Sequence, residues 1–163
     1  MQNNAKAPII VETHLVITEV IDGDSIKVSS IFNKDEKEIR LYGIDCPENK
    51  YNRKMVEDEK KLHTPAQFLL GLGQEAHKFV LSVAPVGTSV TLQIEKGNEL
   101  DHYKRHLAYV ILPDGRCLNE IIIGNGYARA TEEYYCEQLP KYQELQFKAK
   151  RKKKGLFKYI SRL

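Results

Sequence analysis

The sequence predicts an α+β protein whose core is a five-stranded OB-fold β-barrel with three helices packed outside it. Five short β-rich segments are separated by turn residues, and helical segments follow the third and the fifth of them. Helices do not alternate regularly with strands, which argues against a parallel βαβ sheet and favours a small Greek-key barrel. A length of 163 residues fits one domain.

The predicted strands are short segments rich in β-branched residues. They span residues 11–20, 25–32, 38–42, 88–95 and 106–112. The first ends at the turn signal Asp22-Gly23-Asp24, and the third is stopped by Gly43 and Pro47. The short connections between the first three strands predict an antiparallel meander.

Apolar residues recur at helical spacing in three segments. These segments span residues 73–83, 118–124 and 139–154, and the last two have glycine stop signals. Residues 49–65 are polar and show little periodicity. We therefore predict a long surface loop there.

The termini predict the limits of the domain. We interpret residues 1–10 as a flexible N-terminal segment, 11–158 as the folded domain and 159–163 as a C-terminal tail. No apolar run approaches the length of a membrane span, and the first six residues lack the apolar stretch of a signal peptide. We expect a cytoplasmic protein, or an exported one (periplasmic or secreted) if a signal segment has been removed.

Charge is distributed unevenly along the chain. The net charge is +3, but residues 139–163 alone hold nine Lys or Arg and one Glu. The rest of the chain is therefore mildly acidic, and its bulk charge does not predict a nucleic-acid binder. Any such function has to rest on a local site.

Three cysteines, Cys46, Cys117 and Cys136, define the thiol chemistry of the chain. No two of them have CxxC spacing, which argues against a structural zinc site. An odd number leaves at least one thiol free in a monomer. Pairing of Cys117 with Cys136 stays open.

Four local features carry chemically useful side chains. They are the Asp22-Gly23-Asp24 turn, Arg40, the segment Asp45-Cys46-Pro47-Glu48 and the segment of residues 101–105. Each alone is most often a turn or a solvated surface. In combination they supply hard oxygen ligands that suit Ca²⁺, and arginines that suit bidentate contact with phosphate. The set predicts phosphodiester hydrolysis, with a carboxylate available to activate water.

The same features carry a resemblance to a known family. The matching segments are residues 20–25 (VIDGDS), 39–48 (IRLYGIDCPE) and 101–109 (DHYKRHLAY), with weaker matches at 73–76, 119–128 and 154–157. In this order and spacing the chain resembles staphylococcal nuclease-like (thermonuclease) proteins. The resemblance implies the OB-fold barrel with three helices that the strand pattern also predicts.

The resemblance further implies a Ca²⁺-dependent nuclease that hydrolyses DNA, RNA or both. Cleavage would break the P–O5′ bond and leave 3′-phosphate ends. Carried over by position, Asp24 and Asp45 would bind Ca²⁺ directly, and Cys46 would contribute its backbone carbonyl. Glu48 would hold the attacking water, as a general base or as a group that orients it.

Substrate contacts are implied by the same comparison. Arg40 and Arg105 would clamp the phosphate and stabilise the transition state, and Tyr103 would lie near a terminal phosphate. His102 stands where the family usually has a permanent cation, and so predicts pH-dependent substrate binding. Tyr134 or Tyr135 would stack on a nucleobase, and the register leaves both open. No obligate protein partner is evident, so we expect a monomer.

Two departures from the family pattern bear on the site. Lys104 replaces a glycine directly before Arg105, and a side chain at a position of positive φ costs free energy. The placement of Arg105 is therefore an open point. The segment from Glu48 to Arg105 is also longer than usual, with the extra residues expected within 51–72.

The alternative function is that of a non-catalytic OB-fold module that binds nucleic acid. Degenerate domains of this kind typically lose acidic ligands or an arginine. This chain keeps all five such residues: Asp24, Arg40, Asp45, Glu48 and Arg105. That retention favours the enzyme. A Gly-x-x-x-x-Gly-Lys loop is absent from the sequence, which excludes a P-loop NTPase.

Overall fold

A computed structural model describes residues 8–163. Its centre is a closed barrel of five strands in the order β1-β2-β3-β6-β5, in which β3 and β6 pair in parallel and the other neighbours are antiparallel. The predicted five-stranded barrel is confirmed. The strands are β1 (Ile9–Asp22), β2 (Ser25–Ser30), β3 (Glu36–Leu41), β4 (Ile44–Asp45), β5 (Ser89–Glu95), β6 (His106–Ile111) and β7 (Arg129–Ala130). The helices are α1 (Arg53–Leu62), α2 (Ala66–Val83), α3 (Leu118–Gly124) and α4 (Leu139–Arg151).

The strand β1 closes the barrel because it is long enough to pair on two sides. Its second half pairs with β2, and it pairs with β5 from Ile9 to Val16. Register shifts between Ile17 and Glu19 and between Val20 and Asp22 bend it, as extra residues in a strand do. The second of these shifts lies directly before the Asp22–Asp24 turn. The turn therefore follows a bent part of β1.

A parallel pairing of β3 with β6 completes the barrel. Ile39 lies opposite His106, and Arg40 lies opposite Leu107. The segment that enters β6, which contains Arg105, therefore meets the end of β3. This closure brings together two basic residues that are 65 positions apart in the sequence.

The buried Asn119 of α3 ties this helix to the barrel. Its amide group donates to the carbonyls of Tyr42 (3.1 Å) and Ala108 (3.3 Å), and its Oδ1 accepts from the N–H of Val110 at 3.1 Å. Buried polar groups are stable only when hydrogen-bonded. Asn119 thus satisfies backbone groups on both sides of the β3–β6 junction.

The prediction of a surface loop over residues 49–65 is wrong. Arg53–Leu62 form α1, and α2 begins at Ala66 instead of residue 73, so four helices surround the barrel instead of three. The side chain of Asn52 caps α1 by accepting from the N–H of Met55 at 3.0 Å. Met55 is the one buried residue of this helix, and Val56 and Leu62 are its only other apolar residues. Three apolar positions are too few to show the periodicity of a helix.

The remaining differences from the predicted elements are two additional short strands and the positions of two element ends. The short strands β4 and β7, which the sequence did not predict, form a separate two-stranded sheet in which Asp45 lies opposite Arg129. The helix predicted to end at residue 154 ends at Arg151. Residues 1–7 of the predicted N-terminal segment lie outside the described residues, whereas Ile9 and Ile10 already belong to β1.

The structure bears on the pairing of the cysteines and on membrane-spanning helices. Cys46, Cys117 and Cys136 are all free, so Cys117 and Cys136 are not paired. Within residues 8–163, no helix combines the length and the apolar character needed to cross a bilayer.

Lys104 adopts the left-handed conformation, with φ of 62°. It lies in the tight turn between Asp101 and Arg105, where the N–H of Lys104 donates to the carbonyl of Asp101 at 3.0 Å. A residue with a Cβ pays about 1–2 kcal/mol in this conformation. The turn is therefore strained at the position that precedes Arg105.

We predict that Lys104→Gly stabilises the protein. Relief of the left-handed strain outweighs the roughly 0.5–1 kcal/mol that glycine loses in unfolded-state entropy, so the net gain is about 0.5–1 kcal/mol. Urea unfolding monitored by circular dichroism measures it. Lys104→Ala keeps the Cβ and gains nothing, and Lys152→Gly, at a residue with φ of −85°, is not stabilised. A Gly variant no more stable than the Ala variant contradicts the prediction.

Candidate active site

A cleft of about 540 Å³ opens where the β1–β2 turn, the end of β3, β4 and the segment before β6 meet. It brings together seven of the ten site residues predicted from the sequence. These are Asp24, Arg40, Asp45, Glu48, Tyr103, Arg105 and Tyr134. Residues widely separated along the chain therefore share one cavity, and their contacts define what the cavity can do.

The Arg40 guanidinium forms the floor of the cleft and is almost fully buried. Its Nη1 donates to the carbonyls of Leu41 (3.0 Å) and Ile44 (2.8 Å), and its Nη2 lies 3.3 Å from both Asp24 Oδ2 and Asp45 Oδ1. Burial alone would lower the pKa of Arg40, but the two carboxylates raise it above its ordinary value. Arg40 therefore stays charged, and one of its nitrogens contacts both Asp24 and Asp45.

The buried Asp24 and the partly buried Asp22 form a pair of neighbouring carboxyls in the β1–β2 turn. The Oδ2 of Asp24 accepts from the N–H of Cys46 at 2.7 Å. Burial would raise the pKa of Asp24, but Arg40 beside it holds that pKa below its ordinary value. Burial and the charge of Asp24 raise the pKa of Asp22 to about 9. Two neighbouring carboxyls with divergent pKa values are typical of functional sites.

Asp45 is surrounded by cations. Its Oδ1 contacts Arg40 and also Lys54, whose Nζ lies 2.8 Å away. Its Oδ2 accepts two hydrogen bonds from Arg129, from Nε at 3.1 Å and from Nη2 at 2.8 Å. Arg129 reaches it because β7 places this residue opposite Asp45 in the two-stranded sheet.

Glu48 is held by residues at the start of α1. Its Oε2 accepts from Asn52 Nδ2 at 3.1 Å, and its Oε1 lies 3.1 Å from Lys54 Nζ. The backbone of Glu48 packs against α2 at Gly73, where an added Cβ would lie 1.9 Å from the Glu48 carbonyl oxygen. Only glycine permits this approach, so Gly73 fixes the distance of Glu48 from the second helix.

Arg105 faces the cleft despite the strained residue before it. Its Nε donates to Asp101 Oδ2 at 2.7 Å, and its Nη2 donates to the Tyr134 hydroxyl at 3.1 Å. The Tyr134 ring also lies 3.8 Å from the Arg40 guanidinium carbon. Tyr134 thus links the two arginines, and the open point raised by Lys104 is settled by the turn geometry.

The three predicted residues that do not line the cleft lie beside it, and Tyr103 lies at its edge. Tyr103 is exposed at the rim, with its ring centroid 5.5 Å from the Arg105 guanidinium carbon. His102 and Tyr135 line an adjoining hollow that also touches Tyr134. The Cys46 thiol is buried outside the cleft, and burial raises its pKa well above the usual range.

Of the cleft residues that were not singled out from the sequence, three form hydrogen bonds or ion pairs with the predicted ones. Asp22 belongs to the turn motif but received no role of its own. Lys54 was assigned to a loop, and only the asparagine cap at residue 52 could have signalled its helix. Arg129 showed no sequence signal, because its importance comes from strand pairing with Asp45.

The donor groups fit a hard cation only in part. Within residues 8–163, no three His, Cys, Asp or Glu side chains converge to hold a metal ion on their own. Asp24 and Asp45 both contact Arg40 Nη2, however, and the Cys46 carbonyl lies 3.5 Å from Lys54 Nζ, which also contacts Asp45. Carboxylates, a carbonyl and water are the ligands that Ca²⁺ takes, so these residues fit it with solvent or substrate oxygens completing the shell.

The side chains that line the cleft do not include an excess of basic residues. Among the described lining residues, seven are acidic and six are basic. A cavity of this composition does not present net positive charge to a polyanion. A bound divalent ion would reverse that balance.

Comparison with known proteins places this geometry in context. A family model described as Staphylococcal nuclease homologue matches residues 38–159. Endonuclease YhcR of Bacillus subtilis (strain 168) is 29% identical over 146 residues, which cover 87% of this chain and 11% of that protein. Endonuclease YncB of the same organism is 30% identical over 121 residues, or 74% of this chain and 49% of that protein.

A third relative is nearer to this chain in length. An uncharacterized endonuclease of Escherichia coli O157:H7 is 28% identical over 148 residues, which cover 90% of this chain and 78% of that protein. The chain spans about a tenth of YhcR and about half of YncB. Since the family model covers well over half of the sequence, including Arg40, Asp45, Glu48 and Arg105, the chain belongs to the staphylococcal nuclease homologue family.

Proposed function

We propose that this protein is a Ca²⁺-dependent nuclease that hydrolyses DNA or RNA at the P–O5′ bond and leaves 3′-phosphate ends. The observation that carries the proposal is the convergence of two carboxylates on Arg40, in a cleft that also holds Glu48 and Arg105. The endonuclease names of the relatives agree with it.

The two arginines would have different roles in binding phosphate. Arg105 is the more exposed, and the planar guanidinium suits bidentate contact with phosphate oxygens. Arg40 already donates to three backbone carbonyls and to Asp45 Oδ1, and it forms an ion pair with the Asp24 carboxylate. Its contribution is therefore to orient the two carboxylates and to place a fixed positive charge under the phosphate, where negative charge grows in the transition state.

Glu48 is the candidate for handling the attacking water. In the proposed reaction, the water oxygen attacks phosphorus as the P–O5′ bond breaks. The water proton passes to the Glu48 carboxylate, and the departing O5′ takes a proton from solvent, because an arginine stays protonated at ordinary pH. A carboxylate that orients the water without accepting its proton would occupy the same position.

The residues that would hold Ca²⁺ are Asp24 and Asp45, through their carboxylates, and Cys46, through its carbonyl. When bound, the ion would supply positive charge against the phosphoryl oxygens. The chain's own contribution is to fix these oxygens: Arg40 holds both carboxylates, the N–H of Cys46 holds Asp24, and Arg129 holds the far oxygen of Asp45.

The first prediction concerns the requirement for metal. We expect the purified protein to cut single-stranded DNA in millimolar Ca²⁺ and to stop when a chelator is added, because the cleft then lacks net positive charge. Fragment ends that resist polymerase extension until phosphatase treatment identify 3′-phosphates. DNA binding without cutting in either condition would contradict the proposal and support the non-catalytic OB-fold alternative.

The second prediction concerns the phosphate clamp. Arg105→Ala lowers turnover by about 10²-fold, the usual loss when one transition-state donor is removed. Its matched control is Arg116→Ala, which breaks an exposed pair with Asp114 outside the cleft and leaves turnover unchanged. Initial rates of oligonucleotide cleavage at saturating Ca²⁺ measure both. Equal rates for the two variants would remove Arg105 from the mechanism.

The third prediction separates water activation from metal binding. Glu48→Gln lowers turnover by about 10²-fold or more while the Ca²⁺ dissociation constant stays within a few-fold of the wild type, because Glu48 is not among the proposed direct ligands. Titration calorimetry and cleavage rates give the two quantities. Glu144→Gln, an exposed residue paired with Lys148, serves as the control. A fully active Glu48→Gln protein would refute the assignment.

A further inference from the structure

The side chain of Lys54 enters the cleft at the place assigned to the cation. Its Nζ lies 2.8 Å from Asp45 Oδ1, 3.1 Å from Glu48 Oε1 and 3.5 Å from the Cys46 carbonyl oxygen. These three groups are two of the proposed Ca²⁺ ligands and the proposed holder of the attacking water. One ammonium group contacts all of them.

Two residues at the start of α1 contact the two carboxylate oxygens of Glu48. Lys54 contacts Oε1, and the N-cap residue Asn52 donates to Oε2. Met55, the next residue, is buried and gives the helix a fixed attachment. The cation is therefore carried by a segment with a fixed attachment, and Lys54 lies on the side of this helix that faces the cleft.

An ammonium group and a divalent ion exclude each other at this position. A Ca²⁺ ion binds its oxygens at about 2.3–2.6 Å, so an ion on Asp45 Oδ1 and the Cys46 carbonyl would overlap the space that the Lys54 Nζ fills. Both groups are positive, so proximity is also unfavourable. The flexible four-carbon stem of lysine lets the ammonium leave without unwinding the helix that carries it.

Arg129 has a different relation to the same carboxylate. It contacts only Oδ2 of Asp45, on the side away from Lys54, through paired donors of a neighbouring strand. Among the described contacts it touches neither Glu48 nor the Cys46 carbonyl. Arg129 therefore orients Asp45, whereas Lys54 contacts the same oxygens that a bound Ca²⁺ ion would use.

We propose that Lys54 is a tethered cation that competes with the divalent ion for Asp45, the Cys46 carbonyl and Glu48, so that the residue at position 54 sets the metal affinity of the site. The inference rests on the proposed function, because that proposal defines the metal ligands. Metal binding requires the Lys54 ammonium to leave these oxygens, which costs the free energy of its contacts with them. Removal of the charge at position 54 makes the ligands available without this displacement.

Calorimetric titration with CaCl₂ tests the competition independently of cleavage. Lys54→Gln binds Ca²⁺ about tenfold more tightly than the wild type, within the usual range of coupling between two sites. Lys54→Arg keeps the positive charge and binds Ca²⁺ no more tightly than the wild type. Lys60→Gln removes the same charge from the exposed face of the same helix and leaves the affinity unchanged. Far-UV circular dichroism checks that α1 persists in each variant.

The outcomes separate this inference from the proposed function. If Lys54→Gln binds Ca²⁺ no more tightly than Lys60→Gln, the competition is refuted, while Ca²⁺-dependent cutting by the wild type would still uphold the nuclease. Tighter binding by Lys54→Gln in a protein that cuts no DNA supports the competition and refutes the nuclease. If neither the wild type nor Lys54→Gln binds Ca²⁺, both the competition and the proposed metal dependence fail.

Discussion

The buried Arg40 guanidinium is the contact on which the architecture of the cleft depends. A charge removed from water is stable only when it is paired and its donors are satisfied. Arg40 meets that condition with two backbone carbonyls near the end of β3 and with the carboxylates of Asp24 and Asp45. Because these partners come from separate elements, the requirement of one side chain fixes the relative positions of the β1–β2 turn, β3 and β4.

The closure of the barrel extends this arrangement to the second arginine. Parallel pairing of β3 with β6 brings the entry to β6 beside Arg40, and Tyr134 then contacts both guanidinium groups. Lys104, directly before Arg105, adopts the left-handed conformation in the turn that leads into β6. The strained residue therefore adjoins the arginine that faces the cleft.

The helix α1 gives the cleft a feature that the barrel alone does not explain. It adds Lys54 to a site where Asp45 already contacts Arg40 and Arg129, and it holds both oxygens of Glu48. Asp24, Asp45 and Glu48 thus already have cationic partners within the cleft. Burial and the charge of Asp24 raise the pKa of the neighbouring Asp22. A site whose carboxylates already have cationic partners requires an incoming ion to replace one of them.

The sequence alone determined the barrel and the central residues of the cleft, because local sequence patterns indicate both. Alternating strands bounded by turn residues predicted the five strands, and short motifs around Asp24, Arg40, Asp45 and Glu48 identified residues that the fold brings together. The tertiary structure alone decided the rest. The polar helix α1 is stabilised by a cap and one buried methionine, and the pairing of Asp45 with Lys54 and Arg129 depends on packing between distant segments. Such contacts have no local signature, because a charged residue has the same pattern in the sequence whether it faces solvent or a carboxylate.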